Sequence, residues 1–304
     1  TGMAQQQSQD YENARRSFEQ SVDLDPDNAD AHLWLGVMLA RDRQSYTAAV
    51  RHLERALALN PAIENGWIDL GNVYYFQRDL VKAGTCFRAA LAADPDSVMA
   101  LVNLGLVLKD SGRLQEALGH LRRAHELAPD AEGTLRSLVV TLIEADQCEE
   151  AQSVAAGAVQ RNPSGYEAHK YHGLAHQKLH DPVRALACYD TASKMRADDA
   201  ELHDYRGVAF LELGRLPQAI ECYERALALR PDFSLSAFHR ALARLQLADY
   251  RNGWDDYELR QLNQDYLRRQ DAYPDWDGSS LAGRTILIYR EQGLGDEMMF
   301  ASCL

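Results

Sequence analysis

An all-α solenoid of stacked two-helix repeats is the fold this sequence predicts, and three series of residues predict it. Prolines that end a segment fall at Pro26, Pro61, Pro95, Pro129, Pro163 and Pro231, one step of 35 residues and then steps of 34, with Ala197 in the slot where the remaining one is due. Small residues recur in phase at Gly36, Gly71, Gly105, Gly173 and Gly207, and Val139 and Ala241 stand in the same register. The third series is Ala14, Ala49, Ala83, Ala117, Ala151, Ala185, Ala219 and Gly253, followed four residues later by Phe18, Leu53, Phe87, Leu121, Ala155, Tyr189, Tyr223 and Tyr257. A period shared by three residue classes marks a repeat array, in which each unit is too small to bury its apolar face alone and its neighbours supply the cover.

Taken in order, the chain opens with a lone predicted helix over 10–24, within a segment 1–28. Thr1 and Gly2 ahead of Met3 read as a tag remnant and carry no functional argument. Phe18 and Val22 on that helix have no partner inside their own unit. Six full repeats are expected over 29–233 and a divergent one from Ser234, closing a solenoid that spans 29–267. The unit from Trp67 to Pro95 shows the logic: Trp67, Leu70 and Tyr74 share one face of a first helix, and Ala83, Phe87 and Ala90 one face of a second. Gly71 and Ala83 are small where the two axes must come closest. Proline then ends the pair, because it lacks an N–H and disfavours helix in the residue before it. Past the solenoid, 268–284 is rich in Pro, Gly, Asp and Ser and reads as a linker. The run TILIY at 285–289 suits a buried strand, and a loop with Gly293 and Gly295 and a short helix follow it.

The spacing W-x2-L-G-x2-Y, A-x3-F and P resembles the tetratricopeptide repeat family over roughly 10–267. That resemblance implies a right-handed superhelix whose concave face is lined by the second, fifth, sixth, ninth, twelfth and thirteenth places of each first helix. Carried onto this sequence, those places are Leu33, Trp34 and Val37 in the first full repeat, Ile68, Asp69, Asn72, Tyr75 and Phe76 in the second, and Val102, Asn103, Leu106 and Lys109 in the third. Arg136, Lys170, Tyr171, Asp204 and Tyr205 continue the series, so the floor is apolar and aromatic at first and more polar later. The expected ligand is a peptide or protein segment with hydrophobic anchors; a neighbouring turn of the chain or a second copy could cover the same residues instead. Chaperone-tail binders of the family clamp a carboxylate with paired Lys and Asn, and here Leu33 and Val37 occupy the corresponding places. The asparagine ladder of the O-linked N-acetylglucosamine transferase superhelix is reduced to Asn103.

Charge and composition exclude several classes. Acidic residues outnumber basic ones 45 to 32, for a net charge of -13, which argues against a nucleic acid or an anionic membrane as partner. No apolar run of the length of a membrane span occurs, so a cytoplasmic location is expected. The cysteines, Cys86, Cys148, Cys188, Cys222 and Cys303, are far apart with no C-x-x-C pair and read as reduced core residues. No cofactor is expected.

One cluster stands out, HKYHGLAHQKLH, with His169, His172, His176 and His180 on one helical face. A pair at i, i+4 such as His172 and His176 can share a divalent ion. Three of the four occupy the places of Trp67, Leu70 and Tyr74, however, and no third ligand can be named from sequence. The reading is therefore packing by neutral histidines, with no metal site assigned.

The terminal stretch raises a second functional class. GW, YE-R, P-x-W-D-G with Trp276, L-x-G-R, an apolar strand and E-Q-G-L-G-D follow one another from Gly253 to Asp296. The series resembles bacterial proteins in which tetratricopeptide repeats precede a heptosyltransferase-like domain of the glycosyltransferase B type. The resemblance implies that Asp296 matches the general base of that family and that Gly293 and Gly295 shape its loop. It covers about the first 35 residues of such a domain, 285–304 being its start, so this chain by itself is expected not to be catalytic. Two functions remain open: a binding scaffold, or a scaffold that presents a substrate to a glycosyltransferase.

Overall fold

The structure, a computed structural model, describes residues 2–257, with side chains from residue 11. Among these residues the fold is an all-α solenoid with no strand. A single helix, α1 (Gly2–Leu24), precedes six hairpins. These are α2 and α3 (Ala29–Leu39, Tyr46–Leu59), α4 and α5 (Gly66–Phe76, Leu80–Ala93), α6 and α7 (Val98–Asp110, Leu114–Leu127), α8 and α9 (Glu132–Glu144, Cys148–Arg161), α10 and α11 (Tyr166–Lys178, Pro182–Met195), and α12 and α13 (Ala200–Glu212, Leu216–Leu229). A seventh hairpin, α14 and α15 (Ser234–Gln246, Tyr250–Tyr257), closes the described part. The predicted linker, strand and Gly293–Gly295–Asp296 loop, and Trp276, lie outside the described residues. No described helix is long and apolar enough to cross a membrane.

The small-residue series has the expected physical cause. A methyl group added at Gly71 would sit 2.5 Å from the Phe87 ring, and one at Gly207 would sit 2.4 Å from Tyr223, so the second helix drives a ring against bare backbone of the first. In the fourth repeat the sizes are exchanged: Val139 stands where glycine is usual, and the facing place holds Ala155, both fully buried in one cluster. The buried positions of α9 are alanines alone, Ala151, Ala155 and Ala158.

Turn chemistry shows a regularity invisible in the composition. Arg78, Gly112, Asp146, His180, Gly214 and Ala248 all have φ between 56° and 75°, one per hairpin from the second to the seventh. Each is followed by a residue whose N–H reaches five residues back, as Asp79 to Tyr74 at 2.9 Å and Asp181 to His176 at 2.9 Å, which satisfies a carbonyl left over at the helix end. Four of the six positions are not glycine and carry the left-handed penalty, about 1–2 kcal/mol for an L residue. Arg78→Gly and Ala248→Gly should each raise stability by about 0.5–1 kcal/mol. Urea unfolding checks this, and unchanged midpoints would contradict it. The first hairpin solves its turn differently: the extra residue of its 35-residue step is taken up by a 3-10 turn at Arg43–Ser45.

A second recurring device joins consecutive repeats. Trp67 Nε1 donates to the Pro61 carbonyl at 3.2 Å, and His32, His169 and His203 place Nε2 at 3.1, 2.9 and 2.9 Å from the carbonyls of Pro26, Pro163 and Ala197. In each case the side chain ties the start of a first helix to the preceding turn.

The N-terminal helix differs from expectation. It begins at Gly2 and not at residue 10, since Ala, Met and Gln in that stretch are good helix formers with no breaker among them. Phe18 stacks on Trp34 with ring centroids 6.5 Å apart, which supplies the partner its own unit lacks. Tyr11 adds a hydrogen bond from its hydroxyl to the Met38 carbonyl.

Candidate binding groove

First helices pack on first helices along the array: α4 on α6, α6 on α8, α8 on α10, α10 on α12 and α12 on α14. The surface between them is the candidate groove, and rungs of polar contacts cross it. Tyr75 donates to Asp110 at 2.7 Å, Lys109 reaches Glu144 at 3.3 Å, and Gln177 reaches Glu212 at 3.5 Å, always from the twelfth place of one helix to the thirteenth of the next. Asn103 Nδ2 donates to Asn72 Oδ1 at 2.9 Å. Asn103, the one member of the ladder found in sequence, therefore bonds to a neighbouring repeat.

The predicted groove residues divide into three groups. Trp34 and Phe76 are 50% and 61% exposed; Met99, which the sequence reading did not name, stands at the second place of α6 and is 56% exposed. Val37, Asp69, Asn72, Tyr75, Val102, Asn103, Leu106, Lys109 and Tyr205 are half-buried, and Arg136 is exposed. Leu33, Ile68, Lys170 and Tyr171 are buried, and this corrects the expectation of an open floor at those places. The fifth place abuts the adjacent first helix, so Leu33 and Ile68 belong to the core cluster of the first repeats and offer a ligand little surface.

Lys170 shows why the C-terminal half differs. Its side chain is buried, the residue being 3% exposed, and its ammonium lies 2.8 Å from Asp199 and 3.0 Å from Glu201. The rings of Tyr171 and Tyr205 are both centred 5.7 Å from it. Tyr166 also donates to Asp199 at 2.6 Å. Burial pushes the Asp199 carboxyl upward, but the bonds from Lys170 and Tyr166 outweigh it and hold the group at about 2. Next along, buried Asp204 meets His239 Nδ1 at 3.0 Å. These charges are consumed within the fold.

Asp69 is the opposite case. It occupies the sixth place of α4, the place of Trp34 on α2 and Asn103 on α6, and burial pushes its carboxyl up to about 6. Among the described residues no cation or donor pairs with that side chain. A half-buried carboxylate left unpaired is costly to the fold.

Outside the groove, His172, His176 and Cys188 bring their ligand atoms within 4.8 Å of one another. Sequence could not name Cys188, because it stands on α11 and only the hairpin brings it beside the two histidines of α10. A cleft of about 300 Å³ lies among Asp130, Glu132, Leu135, Arg161 and Glu167. Its Arg161 is already bonded to Asp130 and to the Pro129 carbonyl.

A hairpin array with small-against-large first and second helices and a ladder on the first-helix face defines an α-solenoid repeat protein. The chain belongs to the tetratricopeptide repeat family, whose sequence profile matches residues 1–63, 68–132, 172–232 and 206–252, more than half of the chain. The unmatched residues include 133–171, where Val139 and Ala155 exchange the usual sizes. Among curated relatives, Protein FlbA of Caulobacter vibrioides is 27% identical over 89% of this chain and 41% of its own length. Protein O-mannosyl-transferase Tmtc3 of Drosophila melanogaster is 30% identical over 46% of this chain and 15% of its own. The peroxisomal targeting signal receptor of Eremothecium gossypii is 37% identical over 26% of this chain and 14% of its own. This chain thus spans less than half the length of each of these relatives. Two solved structures share the fold, a tetratricopeptide repeat protein from Parabacteroides merdae (TM-score 0.63, 14% identity, 84% of this chain and 94% of that one) and yeast Tom70 (TM-score 0.63, 17% identity, 84% and 55%).

Proposed function

We propose that this protein is an interaction scaffold that holds a segment of a partner protein along the inner face of α2, α4 and α6. The observation that carries the reading is the exposure of Trp34, Phe76 and Met99 on successive first helices, while the same face of α10 and α12 is filled by the fold's own ion pairs. The segment bears apolar anchors for these three side chains and one basic group for Asp69. Similarity to a peroxisomal targeting signal receptor, by its name a receptor for a targeting signal, supports a protein segment as ligand.

A peptide-phage library selected on the full chain should yield sequences pairing apolar residues with Lys or Arg. Trp34→Ala and Phe76→Ala should weaken a selected synthetic peptide by about tenfold or more in fluorescence polarisation, as buried aromatic anchors do. Val183→Ala, exposed on α11, should leave binding unchanged. Asp69→Asn should weaken basic peptides and at the same time stabilise the free protein at pH 7. The sign follows from its raised carboxyl: relative to the unfolded chain, stability is fully present below about pH 4 and is lost as pH rises towards 6, so removing the charge helps only at the upper end. Peptides insensitive to both aromatic substitutions would overturn the groove reading, as would loss of self-association, and not of peptide, in Trp34→Ala.

A second reading rests on the motif from Gly253 to Asp296 and on the similarity to a protein O-mannosyl-transferase. In it the same scaffold presents its partner to a glycosyltransferase, with Asp296 as the base. Sugar transfer to a groove-bound protein by the parent polypeptide, abolished by Asp296→Asn, separates it from the first.

A further inference from the structure

We infer that His172, His176 and Cys188 form a binding site for a zinc-class divalent ion, wedged between the two helices of the fifth hairpin. His172 and His176 stand one turn apart on α10 with ring centroids 4.5 Å apart, and Cys188 on α11 brings its Sγ to 3.7 Å from His172 Nδ1. Zinc bonds to nitrogen and sulfur are about 2.0–2.3 Å, so donors on a tetrahedral ion lie about 3.3–3.6 Å apart. The His172–Cys188 separation is already close to that figure, and the widest donor separation is within 4.8 Å.

The donor set decides the class of ion. Two imidazoles and one thiol favour zinc and its borderline or soft relatives over magnesium or calcium, which prefer oxygen. The ion binds the thiolate and so displaces the Cys188 proton: the S–H bond breaks, a sulfur–metal bond forms, and one proton leaves to solvent with no change of oxidation state. The far nitrogen of His172, Nε2, lies 3.3 Å from the Gln152 amide of α9. Turning that amide end for end presents its oxygen to an Nε2–H and leaves Nδ1 bare towards Cys188, the outer-shell arrangement that fixes a ligating histidine. Three protein donors leave a fourth position for water or a partner's side chain. His176 is buried, whereas His172 and Cys188 are half-buried, which gives an ion a path in.

The test is cobalt and zinc titration of the full chain after chelator treatment. One equivalent of Co²⁺ should produce a near-ultraviolet thiolate charge-transfer band, lost in Cys188→Ser and weakened in His176→Ala but retained in His180→Ala, with circular dichroism confirming that each variant folds. In the unaltered chain, where folding is not in question, zinc should protect Cys188 from iodoacetamide as read by peptide mass spectrometry. A parent chain without the band, a band that persists in Cys188→Ser, or alkylation indifferent to zinc would overturn the site and leave the cluster as packing.

Discussion

Phe87→Ala should lower the unfolding free energy by about 3–5 kcal/mol, the usual cost of emptying a buried aromatic site, and adding Gly71→Val should restore part of it. The ring is almost fully buried and presses on the bare backbone of Gly71, where a methyl group would sit 2.5 Å away. Gly71→Val alone is therefore an overpacking change, costing about 1–3 kcal/mol. The two together rebuild the pairing that the fourth repeat already uses, Val139 against Ala155. Urea unfolding of the parent, both single variants and the double variant forms a cycle whose coupling energy should be clearly favourable. A double variant as unstable as the sum of its singles would show that the two places do not fill one shared space.

Asp256→Ala should cost a similar amount, about 3–5 kcal/mol, because it breaks a buried ionic cluster by removing the anion that Arg240 and Arg244 share. The carboxylate, on a residue 6% exposed, accepts from Arg240 Nε at 2.8 Å and Nη2 at 2.7 Å, and from Arg244 Nη1 at 2.7 Å. Without it two largely buried guanidiniums face each other, although Arg244 keeps Glu224 at 2.9 Å. Since an array is held by nearest neighbours, the damage should stay local. Hydrogen exchange should quicken in α14 and α15 and stay unchanged in α4 to α7. Uniform acceleration along the chain would show that the repeats unfold as one unit.

Much of this fold is written at fixed spacing and is readable for that reason. A glycine on one helix and a ring on the next lie a constant number of residues apart in every unit, so a period search finds the hairpins and predicts their closest approach. The candidate site was less legible, because its decisive contacts cross between repeats. Lys170 sits on the predicted inner face, yet its partners Asp199 and Glu201 lie at the start of the following first helix and withdraw it from solvent. Leu33 and Ile68 are buried by neighbouring helices that no single repeat displays. Cys188 and Asp256 depend on which turn of a second helix faces the first, a register that the motif alone leaves unstated. The left-handed turns at Arg78, Asp146, His180 and Ala248 carry no glycine to announce them.

The alanine-only stripe of α9 has a mechanical meaning. With nothing bulkier than a methyl group enclosed along that helix, its neighbours are gripped by less dispersion and less apolar area than along α5, α11 or α13, which bury Phe87, Tyr189 and Tyr223. Tension applied to the two ends would concentrate strain at this joint. The hairpins before and after it would then meet at a pivot in place of a stiff rod.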